Sequence, residues 1–159
     1  MASTENAGAA LATRISDLAQ NSGRRVGTAE SLTGGHISCL LGAAPGSSDW
    51  FRGAIVAYAS SVKHNLLEVP PGPVVAEQAA RSMAETTAKL LDADLVVAVT
   101  GAAGPDPQDG QKPGTVWFGL FDRGSVIATQ KTFAGDPTEV VELTAHYALE
   151  LLTRCFGDG

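Results

Sequence analysis

A serine stands in Thr28-Ala29-Glu30-Ser31-Leu32-Thr33-Gly34-Gly35, between a predicted strand and a predicted helix. A hydroxyl at such a junction is exposed and lies near the backbone N–H groups that a first helical turn leaves unpaired. The arrangement offers a nucleophile together with a cradle for an oxyanion or a phosphate. On this reading Glu30, Thr33, Gly34 and Gly35 are substrate-binding candidates. The same residue types also serve a plain structural purpose. Ser31 or Thr33 can cap the helix, and the glycines let the chain turn. The Gly-x-x-x-x-Gly-Lys-Ser/Thr spacing of a P-loop is absent.

A second candidate is Tyr58-Ala-Ser-Ser-Val-Lys63, where Lys63 precedes Leu66 and Leu67 by three and four residues. That spacing puts the lysine at the border of an apolar helix face. There it either snorkels to solvent or is partly desolvated. Desolvation makes an ammonium easier to deprotonate, and a neutral amine at pH 7 is a general base. A Ser–Lys pair is an established variant of the nucleophile-plus-base arrangement. Tyr58, at a strand end, can orient or relay a proton. The plain alternative is a surface lysine beside a packed tyrosine.

The third is Thr100-Gly101-Ala102-Ala103-Gly104-Pro105 and the polar loop after it. Gly101 and Gly104 permit close backbone approach to a ligand, and Lys112 can meet an anion. Asp106 and Asp109 lack further ligands at suitable spacing, and His36, His64 and His146 form no cluster, so no metal centre is expected.

These residues need elements to hold them. Leu11, Ile15 and Leu18 mark a first helix over about 4–21, with Ser3 or Thr4 as its cap. A strand is predicted near 25–29, and a second helix through Ile37, Leu40 and Leu41. Ala54–Tyr58 is a continuous apolar run, the pattern of a strand buried on both faces. A short helix follows to Leu67, and then a long one over about 75–91, with Ala79, Met83 and Leu90 inward. Leu95–Thr100 is the clearest strand, Thr115–Phe121 and Ser125–Phe133 form a hairpin, and a last helix covers 137–156. Val140, Leu143, Tyr147 and Leu151 are its expected inner face. The order αβαβααβββα predicts a three-layer α/β/α single domain with a mixed, partly antiparallel sheet.

The 159 residues suffice for one domain with a hydrophobic core, and 44% hydrophobic with 18% charged residues is a globular composition. A net charge of −6 argues against general nucleic-acid binding, which needs a basic surface. Cys39 and Cys155 lie in apolar helical runs and are read as buried free thiols in a reducing compartment. Without a secretory start or a membrane-length apolar run, the expected location is cytoplasmic, away from membranes. Trp50 and Phe51, apolar residues in a predicted loop, suggest a homo-oligomer contact.

Taken together, Thr28–Gly35, Pro45-Gly-Ser-Ser48, Phe51-Arg-Gly53, Tyr58 with Lys63, Gly101–Pro105 and Lys112-Pro-Gly-Thr-Val-Trp117 resemble, in order, the CinA C-terminal domain, or nicotinamide mononucleotide deamidase, family. The resemblance runs from the first helix to the last. It implies hydrolysis of a pyridine nucleotide, nicotinamide mononucleotide, to nicotinate mononucleotide and ammonia, with no cofactor. It makes Ser31 the nucleophile, Lys63 its base and Tyr58 an assisting hydroxyl, in a stand-alone form without the amino-terminal domain of longer members. The chain departs from the family pattern at three places. Leu32 replaces a cysteine, the segment at 70–76 is shortened, and Val141 and Glu142 stand where the family often has arginine. If that arginine holds the substrate phosphate, its loss implies a raised KM or no activity. The departures leave two alternatives, a non-catalytic relative that binds a nucleotide or protein, and a Ser–Lys amidase for another small amide.

Overall fold

The computed structural model describes residues 2–157, with side-chain surroundings from residue 7 onward. Five helices flank one sheet: α1 (Ala2–Ser22), β1 (Val26–Glu30), α2 (His36–Ala43), β2 (Phe51–Val56), α3 (Ser60–Leu66), α4 (Glu77–Leu91), β3 (Leu95–Gly101), β4 (Thr115–Asp122), β5 (Ser125–Thr132) and α5 (Pro137–Phe156). The strand order is β2-β1-β3-β4-β5. β1 pairs in parallel with β2 and β3, and the β3–β4 and β4–β5 pairs are antiparallel. This is the expected three-layer mixed architecture.

β3 shows how the layers form. All seven of its residues are buried, and a strand points successive side chains to opposite faces. Leu95, Val97 and Val99 join one core with Ile15 of α1, Ile37 of α2 and Leu149 of α5. Val96 and Ala98 join the other, with Leu67 after α3 and Met83 and Ala84 of α4. α5 starts on a reciprocal cap: Asp136 accepts from the Glu139 N–H, and the Glu139 carboxylate accepts from the Asp136 N–H.

Several expectations are corrected. β2 is an edge strand and only half-buried, because its outer side has no neighbouring strand. Trp50 is 2% exposed, its indole N–H donating to the Ser16 hydroxyl at 2.9 Å, so it is a core anchor with no surface left for a subunit contact. Leu90 and Leu143 are 54% and 42% exposed. The other expected positions Ala79, Met83, Val140 and Leu151 are buried, and the inward faces also take in Ala80, Ala84 and Thr87 on α4, and Thr144 and Ala148 on α5. Cys39 is exposed, and only Cys155 is partly buried, where desolvation pushes its thiol up to about 11. α4 begins at Glu77, leaving Val74 and Val75 buried in non-helical chain. α1 already includes Ser3 and Thr4, whose side chains lie outside the described set. Among the described residues no helix is long and apolar enough to cross a membrane.

Candidate active site

β1 and β3 are adjacent and parallel, so their C-terminal ends open side by side at one edge of the sheet. Loops from such ends are where open α/β sheets place ligands. The chain after β1 supplies Ser31, the end of β3 and the loop after it supply Gly101–Gly104 and Asp106–Gln108, Tyr58 comes from the β2–α3 connection, and Lys63 from α3. Together they enclose a pocket of about 280 Å³.

The turn after β1 is built around Glu30, which is 0% exposed. One carboxylate oxygen accepts from the Thr33 hydroxyl at 2.7 Å and from the Gly35 and Ile37 N–H groups at 3.1 and 3.0 Å. The other accepts from the Ser38 N–H at 2.7 Å. The cap position of α2 is Gly35, at φ 106°, with no side-chain cap of its own, so the capping is done by Glu30 from below. Neither Ser31 nor Thr33 is the cap that the sequence offered as the plain reading. The anion-binding groups of this helix start are likewise taken. Glu30 holds them, and Gly34 N–H and His36 N–H bond to the Ser31 and Thr33 carbonyls. Glu30, Thr33, Gly34 and Gly35 therefore shape the turn and do not line the pocket. Ser31 does line it, at 4% exposure, on its floor and not out in solvent.

Lys63 resolves the choice left open between snorkelling and desolvation. It is 3% exposed, and burial makes its ammonium easier to deprotonate, with Asp109 acting in the opposite direction. Its Nζ donates to the Tyr58 carbonyl at 3.3 Å. The Tyr58 side chain itself is 72% exposed, at the rim.

Asp109 was visible in the sequence only as an isolated carboxylate. In the fold its Oδ2 accepts the Val74 and Val75 N–H groups, both at 2.9 Å. Thr100 adds a second tie, its hydroxyl donating to the Val74 carbonyl at 2.6 Å. The shortened 70–76 segment is thus fastened to β3 and to the loop after it, with Val74 and Val75 packed inside. No local signal reveals a contact between residues 34 or 35 positions apart.

Gly101 and Gly104 both line the pocket. At Gly101 a Cβ would sit 2.8 Å from the Thr115 carbonyl oxygen, so the missing side chain serves close approach of β4. Lys112 is exposed and outside the lining; its carbonyl accepts the Thr115 N–H. A second pocket of about 440 Å³ adjoins the first, sharing Leu32, Tyr58, Ala103 and Gly104 and adding His36, Val141 and Glu142. Among the described residues no three His, Cys, Asp or Glu side chains converge in a metal-ligand arrangement.

The chain matches the CinA C-terminal domain over residues 8–156. It belongs to the CinA family. It is 38% identical over 148 residues to a CinA-like protein of Citrifermentans bemidjiense, covering 89% of this chain and 36% of that protein. With a CinA-like protein of Geobacter sp. it shares 39% identity over 153 residues, 89% of this chain and 37% of the relative. The chain therefore spans about a third of the length of these curated relatives. Crystal structures share the fold over nearly whole chains. A CinA superfamily protein of Klebsiella pneumoniae superposes with a TM-score of 0.91 at 29% identity, covering 96% of this chain and 99% of that one. The one from Enterobacter cloacae gives 0.89 at 34% identity, over 93% and 92%.

Proposed function

We propose that this CinA-family domain is a Ser–Lys amidohydrolase acting on the carboxamide of a pyridine nucleotide, with nicotinamide mononucleotide the substrate that the family resemblance implies. The observation that carries the reading is one pocket holding both the Ser31 hydroxyl and the buried Lys63 amine. Burial favours the neutral amine that a general base requires. As Ser31 Oγ attacks the amide carbon, Lys63 takes the hydroxyl proton. The C–N bond then breaks, and the same proton goes to the departing nitrogen, releasing ammonia. Water attacks the resulting acyl ester and gives one proton through Lys63 back to Ser31 Oγ, and the freed acid passes the other to the released ammonia. The balance closes with water as the only co-reactant.

The oxyanion would form against main chain of Leu32 and Ala103–Gly104 on the pocket wall, since the Gly35, Ile37 and Ser38 N–H groups already serve Glu30. Tyr58 supplies the carbonyl that holds the lysine, and in this reading its exposed side chain assists proton transfer from the rim. The site works inside the cell on a small molecule, in this reading, with no nucleic acid or membrane involved.

Ammonia release from nicotinamide mononucleotide and from its unphosphorylated nucleoside tests the proposal. Ser31→Ala and Lys63→Ala should each lower kcat by about 10³-fold or more while the protein stays folded. Turnover that survives Ser31→Ala overturns it. The second reading, a relative that binds without turnover, is favoured by Val141 and Glu142 lining the adjoining pocket, at positions where the family resemblance implies arginine. It predicts binding of the same compounds and no ammonia.

A further inference from the structure

The second pocket decides what the far end of a substrate looks like. It shares four wall residues with the catalytic pocket, so a molecule with its amide at Ser31 extends directly into it. Its outer wall comes from the start of α5, through Pro137, Thr138, Val141 and Glu142. A phosphate held there would need arginine or lysine, or free N–H groups at a helix start. The far end has no such cation in its lining, and the start of α5 leaves one N–H, that of Thr138. No arginine lines either pocket, and the single lysine, Lys63, sits at the reacting end.

Most of the start of α5 is also unavailable to an anion. Pro137 has no N–H to offer. The Glu139 N–H is held by Asp136, whose own N–H is held by the Glu139 carboxylate. Asp136, Glu139 and Glu142 bring three carboxylates to the first two turns, and His36 across the pocket is the only imidazole in its lining. A chain of net charge −6 adds to the repulsion of an anionic ligand. Apolar Leu32 and Val141 complete the wall.

We infer that this site selects carboxamides whose far end carries no phosphate, a pyridine nucleoside in preference to the nucleotide, with Glu142 and Val141 as the residues that set the choice. The inference rests on the amidohydrolase reading and replaces the nucleotide that the family resemblance implies with the nucleoside. A pyridinium ring bearing a neutral sugar has a positive charge and hydroxyls for Glu142 to meet, and no anionic group to be repelled.

The test compares kcat/KM for nicotinamide riboside and nicotinamide mononucleotide, which differ only by the phosphate. The native protein should prefer the nucleoside by about tenfold or more, and Glu142→Arg should raise the nucleotide's value by about tenfold. Glu142 is exposed, so the replacement leaves the core untouched. A native preference for the nucleotide, or a ratio unmoved by Glu142→Arg, overturns the inference. If neither compound is turned over, the amidohydrolase reading fails separately, and calorimetric binding decides the pocket. Tighter binding of the nucleoside to Ser31→Ala protein sustains the inference, and tighter binding of the nucleotide, or of neither, overturns it.

Discussion

At the end of β1 the chain satisfies its polar groups within a few residues of itself, whereas at the end of β3 it runs into a loop that distant segments must hold. Glu30 binds four donors from the eight residues that follow it, all at 3.1 Å or less. The loop after β3 is tied by Asp109 to Val74 and Val75, while Gly114 N–H bonds back to the Ala102 carbonyl. Both loops carry glycines and both follow a buried strand. The first is a locally closed turn that fixes where Ser31 stands. The second is a wall, and its polar contacts reach the environment of Lys63 through Asp109. A glycine-rich turn is therefore poor evidence for a phosphate cradle until the occupants of its N–H groups are known.

Removing the closed turn's centre should have the larger effect. Glu30→Ala strands the Thr33 hydroxyl and three backbone N–H groups; at about 1–3 kcal/mol for each buried unpaired donor, the loss should be on the order of 4 kcal/mol. Urea denaturation would read it. A loss below about 1 kcal/mol would mean that the turn is held by something other than Glu30.

Asp109→Asn acts on the other loop and sharpens the contrast. Asp109 raises the Lys63 pKa against the lowering by burial, so its neutralisation lets the amine lose its proton at lower pH. A rate that requires neutral Lys63 rises as pH passes through that pKa. The rising limb of the kcat/KM profile should therefore move to lower pH in the variant. The Val74 and Val75 N–H groups keep an acceptor in the asparagine oxygen, so stability should change by about 1 kcal/mol or less. An unmoved limb would separate Asp109 from the chemistry.

The smallest effect is expected at Lys112. Its side chain is exposed and outside both pocket linings, so Lys112→Ala should leave kcat/KM within about twofold. A larger drop would bring the loop's far end into the site.

The apolar run Leu95–Thr100 declares a buried central strand by its composition alone, and the helix periods with the late hairpin dictate a layered mixed sheet. The family pattern likewise points to Ser31, Tyr58 and Lys63, which the fold brings to one pocket. Periodicity misjudges Ala54–Tyr58, because apolar composition does not say whether a strand is central or at an edge. It misjudges Trp50 for a related reason, since the indole is buried by a hydrogen bond to a residue 34 positions away.

Local pattern, composition and family likeness thus determined the layers, the strands that end at the pocket and the three side chains, Ser31, Tyr58 and Lys63, that meet there. Only the tertiary structure decided that Glu30 faces inward and occupies the helix start, that Lys63 is buried, and that Glu142 lines the pocket adjoining that of Ser31. The physical reason is that backbone propensity and apolar spacing act over a few residues. Burial and electrostatic environment are set by partners remote in sequence, and those exist only once the chain has closed on itself.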